Sequence, residues 1–329
     1  MHKLDLTIAC EDYDRVAALA SGRVPVDGCN VIFLPLHAKE LFHRAFGNAE
    51  FDACEMSLSS YVLACSRGSC PYVAIPAFPS RAFRHLAIYV RTGRGIQAPA
   101  DLRGRLVGVP EHQMTAAVWV RGMLSDIYGL KPHEMRWRTG GLAQPGRTEK
   151  LTLDLPRHFD MQAVPASRTL DEMLTEGKLD AIISARPPAS FGQSPAVQRL
   201  FPDYQRAEQD YFQAAGIFPI MYVVGIRRDK LERHPWLAYS VLKAFSQSKA
   251  ACLSPLREVG ALAVTLPWLA AEYERTVALI GNDYWPYGIE PNRTTLEAVL
   301  RYLHEQGLTS RRQTIDELFA PGTMSTHKL

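Results

Sequence analysis

Three basic side chains precede a short apolar run in the stretch Ser80–Val90, which reads SRAFRHLAIYV. Arg81 and Arg84 are three residues apart, and His85 follows directly. Arginine guanidinium groups bind carboxylates through charge-assisted and bidentate hydrogen bonds, and an imidazole titrates near neutral pH. The stretch therefore suits a carboxylate contact with a proton-exchanging group beside it. The alternative is that the arginines cap the start of a strand and face solvent, with His85 packed at the strand end.

A second polar stretch, GVPEHQMT at Gly108–Thr115, joins an apolar strand pattern to the start of a helix. Unpaired backbone amides and the macrodipole at a helix start favour an anion. Gln113 and Thr115 add polar side chains there. Glu111 and His112 lie in the same turn, and for both the alternative is an exposed position that caps the helix.

Further polar loops follow other predicted strands, where ligands of open α/β sheets collect. The first strand leads into an acidic loop that contains Tyr13 and Asp14. The third strand leads into Glu55 and Ser57, and Arg186 follows LDAIISA. Carboxylates in these loops can accept hydrogens from hydroxyl groups, and Arg186 can add a carboxylate contact. Alternatively, Asp14 and Ser57 N-cap the next helices and Arg186 is a surface arginine.

Strands and helices alternate around these loops. The apolar patterns predict strands at LDLTIA, VIFLPL, FDACEM, DLRGRLVGVP and KLDAIISARPP, and helices at RVAALASG, AKELFHRAF, LSSYVLACSRG, EHQMTAAVWVRGMLSDIYGL and TLDEMLTEG. The segments LFHRAFGNAEFDACEMSL and LDEMLTEGKLDAIISARP share one order: helix, turn, hydrophobic–Asp–Ala, strand and polar loop. We interpret them as one unit used once in each of two α/β lobes with mostly parallel sheets.

The lobe boundaries follow from two crossings of the chain. GIFPIMYVVGI at 216–226 is a strand predicted to return the chain to the first lobe, and the pattern is helical from residue 236 onward. We expect lobe one at 1–90 and 216–329, lobe two at 93–213, and the site between them. Residues 142–160 show little periodicity and form either a flap or a surface insertion.

Composition excludes several classes of function. The charge of +3, from 37 basic and 34 acidic residues, is too small for a nucleic-acid-binding protein. The sequence shows no signal peptide, and no apolar run reaches the ~18 residues that a membrane-spanning helix needs. Six cysteines without a CxxC pair indicate reduced thiols and a cytoplasmic location. The common nucleotide, serine-hydrolase and zinc-protease motifs are absent.

Several blocks resemble 4,5-dihydroxyphthalate decarboxylase and its close relatives, on the two-lobed type II periplasmic-binding-protein fold. The blocks are LTIACEDYD, EFDACEMSLSSYV, FPSRAFRHLAIYV, LRGRLVGVPEHQMTAAVWVRGML, TGGL and GIFPIMYVVGIRRD. The resemblance implies removal of one carboxylate from 4,5-dihydroxyphthalate, giving protocatechuate and carbon dioxide. Relatives are expected to carry a histidine where this chain has Tyr222, so no role for a histidine is transferred to that position.

This reaction needs a base near one hydroxyl, an acid near the ring carbon and a pocket that excludes water. We expect His85 to be the acid or proton shuttle, with His112 in reserve, while Glu55 or Asp14 orients the hydroxyls. The candidate catalytic residues are His85, Glu55, Asp14 and His112, and the candidate substrate-binding residues are Arg81, Arg84, Tyr13, Ser57, Glu111, Gln113, Thr115 and Arg186.

We expect no cofactor, because the hydroxyl para to the departing carboxylate can supply the electron density. A divalent metal held by the catechol oxygens and one or two carboxylates is the open alternative. The expected partners are a small aromatic dicarboxylate and further copies of the chain, without nucleic acid or membrane. The main alternative function is a transporter's solute-binding protein, which would need an export signal. A ligand-sensing domain would need a DNA-binding or signalling module for which the chain has no room.

Overall fold

A computed structural model describes residues 2–258 and 260–325. The strands are β1 (Leu4–Cys10), β2 (Cys29–Pro35), β3 (Ala53–Ser57), β4 (Tyr72–Arg81), β5 (Ile88–Arg91), β6 (Leu106–Val109), β7 (Arg136–Thr139), β8 (Met161–Ala163), β9 (Ala181–Ile183), β10 (Val197–Arg199) and β11 (Ile220–Arg227). The helices are α1 (Ala17–Ala20), α2 (Ala38–Asn48), α3 (Leu58–Ser66), α4 (Thr115–Tyr128), α5 (Leu170–Thr175), α6 (Tyr204–Ala215), α7 (Arg228–Arg233), α8 (Leu237–Leu253), α9 (Leu269–Ile280), α10 (Arg293–Glu305) and α11 (Ile315–Leu318). These elements are divided between two compact units.

The first unit contains the chain up to Arg81, Ile220–Leu296 and the chain from Thr314 onward. Its five-stranded sheet has the order β2-β1-β3-β11-β4. Strands β1, β2 and β3 run parallel, and β11 is antiparallel to both β3 and β4. GIFPIMYVVGI therefore returns the chain to the first sheet, as its pattern predicted.

The second unit contains Ala82–Pro219 and Glu297–Gln313. Its six-stranded sheet has the order β10-β5-β9-β6-β7-β8. Strands β6, β7, β8 and β9 run parallel, whereas β5 is antiparallel to both of its neighbours. A core cluster against this sheet includes Tyr89, Leu170, Leu174 and Ile182. The chain divides at Arg81, before the predicted residue 90, because β5 pairs within the second sheet.

The repeated hydrophobic–Asp–Ala segment has the same structural role in both units. One oxygen of Asp52, at the start of β3, accepts the backbone N–H of Thr7 in the neighbouring parallel strand at 3.0 Å. One oxygen of Asp180, at the start of β9, accepts the backbone N–H of Leu106 in its parallel neighbour, also at 3.0 Å. Each aspartate thus joins the start of its own strand to the strand beside it. Among the described residues, no helix is long and apolar enough to cross a membrane.

Candidate active-site residues in the two units

Glu55 is a fully buried carboxyl in β3 of the first unit. Its Oε2 accepts the backbone N–H of Glu11 at 3.1 Å and lies 3.6 Å from Sγ of Cys10. Within residues 2–258 and 260–325, its buried Oε1 has no hydrogen-bond partner. Burial raises the pKa of Glu55 to about 7, although the N–H of Glu11 and the hydroxyl of Tyr13 oppose the shift. The carboxyl can therefore take up and release a proton near neutral pH.

Tyr13 and Arg15 pack beside this carboxyl, in the loop after β1. The Tyr13 hydroxyl donates to Glu11 Oε2 at 3.1 Å. The guanidinium of Arg15 lies 3.9 Å from the Tyr13 ring centroid and 4.6 Å from that of Trp285. Asp14 is exposed and accepts from Arg15 Nη1 at 3.1 Å. Tyr13 occupies the N-cap position of the short 3-10 helix, so Asp14 does not have the capping role considered as its alternative.

Arg81 is buried at the end of β4. Its Nη2 donates to the carbonyl of Pro286 at 2.8 Å and also to Oδ1 of Asn292. Burial lowers the pKa of Arg81 to about 9, and the nearby Tyr287 and Asp283 act against that shift. The guanidinium therefore remains charged at neutral pH. The phenol oxygen of Tyr287 is buried and has no hydrogen-bond partner in the described part of the chain.

Ser57 lies at the junction of β3 and α3 and is buried. It occupies the N-cap position of α3, but its hydroxyl makes no capping hydrogen bond and instead lies 3.4 Å from Ser59 Oγ and 3.3 Å from Ser60 Oγ. Tyr222, at the position where relatives were expected to carry a histidine, is paired with Ser57 across β11 and β3. Its ring packs edge-on against Phe42 at 4.9 Å.

In the second unit, His85 is fully buried in a pocket of aromatic rings. The ring centroids of Phe201 and Tyr211 lie 5.0 and 5.5 Å from that of the imidazole. Burial lowers the pKa of His85 to about 4. The cause of the shift is loss of solvation on burial. The imidazole is consequently neutral at pH 7.

A buried carboxyl that the sequence analysis missed lies beside this pocket. Glu208 Oε1 accepts the backbone N–H of Leu86 at 3.2 Å. Burial raises the pKa of Glu208 to about 7, whereas the backbone of Leu86 and His85 and the charge of Arg84 favour the ionised form. The side chain of Arg84 is partly exposed. Arg84 thus lies near a carboxyl of the protein itself.

A carboxyl group of the protein itself, that of Glu149, occupies the 111–113 turn. Glu149 accepts from the backbone N–H of His112 through one oxygen and from that of Gln113 at 3.2 Å through the other. Glu111 is buried and pairs with Arg147 at 2.6 Å and Lys150 at 2.8 Å. The segment 147–150, within the predicted loop 142–160, is thereby fixed to the turn before α4. The exposed capping positions considered for Glu111 and His112 are wrong, because both side chains are buried.

His112 is enclosed by protein groups. Nη2 of Arg121 donates to its carbonyl at 2.6 Å, and Nε of Arg121 donates to Gln306 Oε1 at 2.7 Å. Burial, with the charge of Arg121, lowers the pKa of His112 well below its usual value. Thr115 is buried as the first residue of α4. Arg186 is exposed, which agrees with the surface alternative.

The first unit therefore brings Tyr13, Glu55 and Arg81 into a region shared with Arg15 and Tyr287, whereas the second unit gathers Glu111, His112 and Gln113 around Glu149. Tyr287 and Glu149 were missed because neither follows a predicted strand. The aromatic run NDYWPYG gave the only local signal for Tyr287. Among the described residues, no group of three or more histidine, cysteine, aspartate or glutamate side chains is arranged to hold a metal ion.

Known structures share the fold at low identity. The periplasmic aliphatic sulphonate binding protein SsuA from Escherichia coli is 15% identical, with a TM-score of 0.53 and coverage of 98% of this chain and 99% of its own. A putative sulfonate-binding SsuA from Methylobacillus flagellatus has a TM-score of 0.55 at 12% identity, covering 98% and 93%. A mutant of DSZB in complex with biphenyl-2-sulfinic acid has a TM-score of 0.51 at 16% identity, covering 98% of each chain. These likenesses confirm the periplasmic-binding-protein-like α/β fold and concern the fold alone.

Sequence comparison identifies closer relatives. No family model matches the chain. The 4,5-dihydroxyphthalate decarboxylase of Comamonas testosteroni is 42% identical over 330 residues, which cover 100% of both chains. The 4,5-dihydroxyphthalate decarboxylase of Pseudomonas putida is 46% identical over 215 residues, covering 65% of this chain and 83% of its own. The resemblance found in the sequence is confirmed: this chain belongs to the 4,5-dihydroxyphthalate decarboxylase family.

Proposed function

We propose that the protein is a carboxy-lyase that converts 4,5-dihydroxyphthalate to protocatechuate and carbon dioxide without a cofactor. Its two decarboxylase relatives support this class of reaction. The observation that carries the proposal is the carboxyl of Glu55, which is buried, has a pKa of about 7 and has no hydrogen-bond partner at Oε1 among the described residues. Such a group serves proton transfer at neutral pH better than an ordinary exposed carboxylate.

In the proposed mechanism, the ionised Glu55 takes the proton of the hydroxyl para to the departing carboxylate. The oxygen's electron pair moves into the ring and raises the electron density at the carbon that carries this carboxylate. That carbon takes up a proton, the bond to the carboxylate breaks, and the bonding pair returns to the ring as carbon dioxide leaves. Glu55 then returns its proton to the phenolate, so the reaction consumes one proton from solvent in total.

The positive groups of the first unit suit the anionic substrate. Arg81 is buried and charged, and its Nη2 donates to neutral oxygens, the carbonyl of Pro286 and Oδ1 of Asn292. Arg15, in the short 3-10 helix after β1, packs against two aromatic rings and pairs with the exposed Asp14 at 3.1 Å. We propose that these guanidinium groups favour the binding of the substrate's carboxylates by electrostatic attraction. Burial in this region also limits hydration of the carboxylate that departs.

Protonation of the ring carbon needs a second group in addition to Glu55. The assignment of His85 as donor stays a prediction, and the neutral state of its imidazole at pH 7 weighs against it. We propose a cytoplasmic location on the basis of six free cysteines. Association of the chain with further copies of itself also stays a prediction, which the molar mass in solution would test.

The direct test is incubation with 4,5-dihydroxyphthalate while carbon dioxide and protocatechuate are measured, with and without a chelator. We expect equal amounts of both products, no effect of the chelator, and a loss of turnover by about 10²–10⁴-fold in Glu55→Gln. Glu50→Gln is the matched control, because Glu50 is a surface carboxyl paired with Arg44. Ligand binding without release of carbon dioxide would instead favour the solute-binding function.

A further inference from the structure

Three oxygen atoms of the first unit are buried without a hydrogen-bond partner in the described part of the chain: Oγ of Ser246 and the two considered next. One is Oε1 of Glu55 and the other is the phenol oxygen of Tyr287. Buried polar atoms are almost always paired in folded proteins, since an unpaired one loses its hydration without replacement. An unpaired oxygen next to a candidate catalytic group therefore points to a bound molecule that completes its hydrogen bonding.

Three anchors fix the position of Tyr287 against β4. Trp285 Nε1 donates to the carbonyl of Phe78 at 3.0 Å, and the backbone N–H of Gly288 donates to the carbonyl of Pro76 at 2.8 Å. Between them, the carbonyl of Pro286 accepts from Arg81. The segment 285–288 is therefore held on both sides of Tyr287. The orientation of the phenol is built into the fold and does not depend on a mobile loop.

The rings and charges around Tyr287 determine the protonation state of its phenol. Its ring packs edge-on against Phe78 at 6.4 Å, and Nζ of Lys249 lies 4.9 Å from its centroid. Burial raises the pKa of Tyr287, and the charges of Cys10 and Glu55 act in the same direction, while those of Arg15 and Arg81 oppose it. The phenol therefore stays neutral and can both donate and accept a hydrogen bond.

Contacts link the segment of Tyr287 to Glu55: the Arg15 guanidinium lies 4.6 Å from the Trp285 ring centroid and 3.9 Å from that of Tyr13. Two residues before Tyr13, the backbone N–H of Glu11 donates to Glu55. Arg15 acts on the carboxyl of Glu55 as well as on the phenol of Tyr287. Cys10, which contacts Glu55 at 3.6 Å, also acts on Tyr287. The two unpaired oxygens thus belong to the same set of interacting groups. A ligand with two neighbouring hydrogen donors matches them.

We propose that Tyr287 and Glu55 together recognise the two adjacent hydroxyls of a catechol ring, which makes Tyr287 a positioning and specificity-determining residue. This inference rests on the proposed function, because it assigns the same substrate to the site. The carboxyl of Glu55 accepts from one hydroxyl, and the phenol of Tyr287 bonds the other. An aromatic acid without hydroxyls would leave both buried oxygens unpaired, which is how a polar pocket rejects an analogue that lacks the matching group.

The test is calorimetric binding of protocatechuate, 4-hydroxybenzoate and benzoate to the whole protein, because each has a single carboxylate and they differ in having two, one and no ring hydroxyls. We expect the wild type to bind protocatechuate most tightly. Tyr287→Phe should weaken the binding of protocatechuate by about tenfold, because one hydrogen bond is lost, and should leave the binding of benzoate unchanged. Tyr239→Phe is the matched control, because Tyr239 is 44% exposed.

The outcomes separate this inference from the proposed function. Tyr287→Phe removes only a hydroxyl without a partner in the described part of the chain, so we expect the variant to fold, which circular dichroism checks. The inference is wrong if the variant keeps the wild-type preference for protocatechuate, or if its binding of benzoate is weakened as much as its binding of protocatechuate. This holds even if 4,5-dihydroxyphthalate is decarboxylated. If the wild type shows the expected preferences but releases no carbon dioxide, hydroxyl recognition stands and the decarboxylase function is wrong.

Discussion

The backbone amide of Glu11 donates a 3.1 Å hydrogen bond to one oxygen of Glu55, while the other oxygen of that carboxyl has no hydrogen-bond partner among the described residues. The two residues lie where the parallel strands β1 and β3 run side by side. The carboxyl is thus held in place by one oxygen, while the other is buried and unpaired in the described part of the chain.

The rate of decarboxylation should depend on the ionisation of Glu55. The ionised carboxylate is the base, so we expect kcat to rise with pH and level off above about pH 7, where the carboxyl is ionised. The measurement is kcat between about pH 5 and 9 with saturating 4,5-dihydroxyphthalate. A rate that falls steadily as the pH increases over this range would contradict the role of Glu55 as the base.

Glu55 should also affect stability in a pH-dependent way. The pKa is raised from 4.5 to about 7 by folding, so stability from the protonated carboxyl is fully present below pH 4.5 and lost as the pH rises through 7. We expect the wild type to lose about 2–3 kcal/mol of unfolding free energy over this interval through Glu55, a loss that is absent from Glu55→Gln. Urea unfolding at about pH 4.5 and about pH 8 measures the difference, and parallel pH dependences would refute it.

His85→Gln decides whether the imidazole donates a proton. Because burial keeps His85 neutral at pH 7, we expect turnover of the variant to stay within about threefold of wild type once its folding is verified. A loss of about 10²–10⁴-fold in kcat with unchanged substrate affinity would instead establish His85 as the donor. The assay compares both parameters on one preparation.

Arg81→Lys and Arg84→Lys form a matched pair. Arg81 is buried and donates to the Pro286 carbonyl and to Asn292, so losing its planar guanidinium group should lower the free energy of unfolding by about 1–3 kcal/mol. Arg84 is partly exposed, so its replacement should change stability by less than about 0.5 kcal/mol. Urea unfolding of both variants at neutral pH measures this contrast, and equal losses would contradict it.

Periodicity and repetition made much of the fold predictable. The Asp52 and Asp180 segments were visible as a repeat, and the structure shows equivalent hydrogen bonds to Thr7 and Leu106. Strand β4 was missed because its sequence, YVAIPAFPSR, contains Pro76 and Pro79. Proline is tolerated at the edge of a sheet, where β4 lies, so its presence did not exclude a strand.

The candidate site was less predictable because its properties depend on burial and on distant segments. The loop position of Glu55 was visible in the sequence, but its raised pKa arises from desolvation by the folded core. Similarly, the pKa of His85 is low because of burial, not because of the arginines beside it in sequence. Tyr287 reaches the region through contacts of its segment with β4, far earlier in the chain, a separation that no local pattern encodes.

The late segments of the chain have a consequence for biosynthesis. In the second unit, Arg121 donates to Gln306, while in the first the backbone N–H of Ala320 donates to the carbonyl of Ala74 at 2.8 Å. The amino-terminal end of a chain emerges first from the ribosome. Neither unit can therefore form these contacts until almost all of these residues have emerged. The strands of both sheets are complete by Arg227, but the nascent chain carries both units without these late contacts until its last part emerges. Binding by a chaperone during that time would protect their exposed apolar surfaces from aggregation.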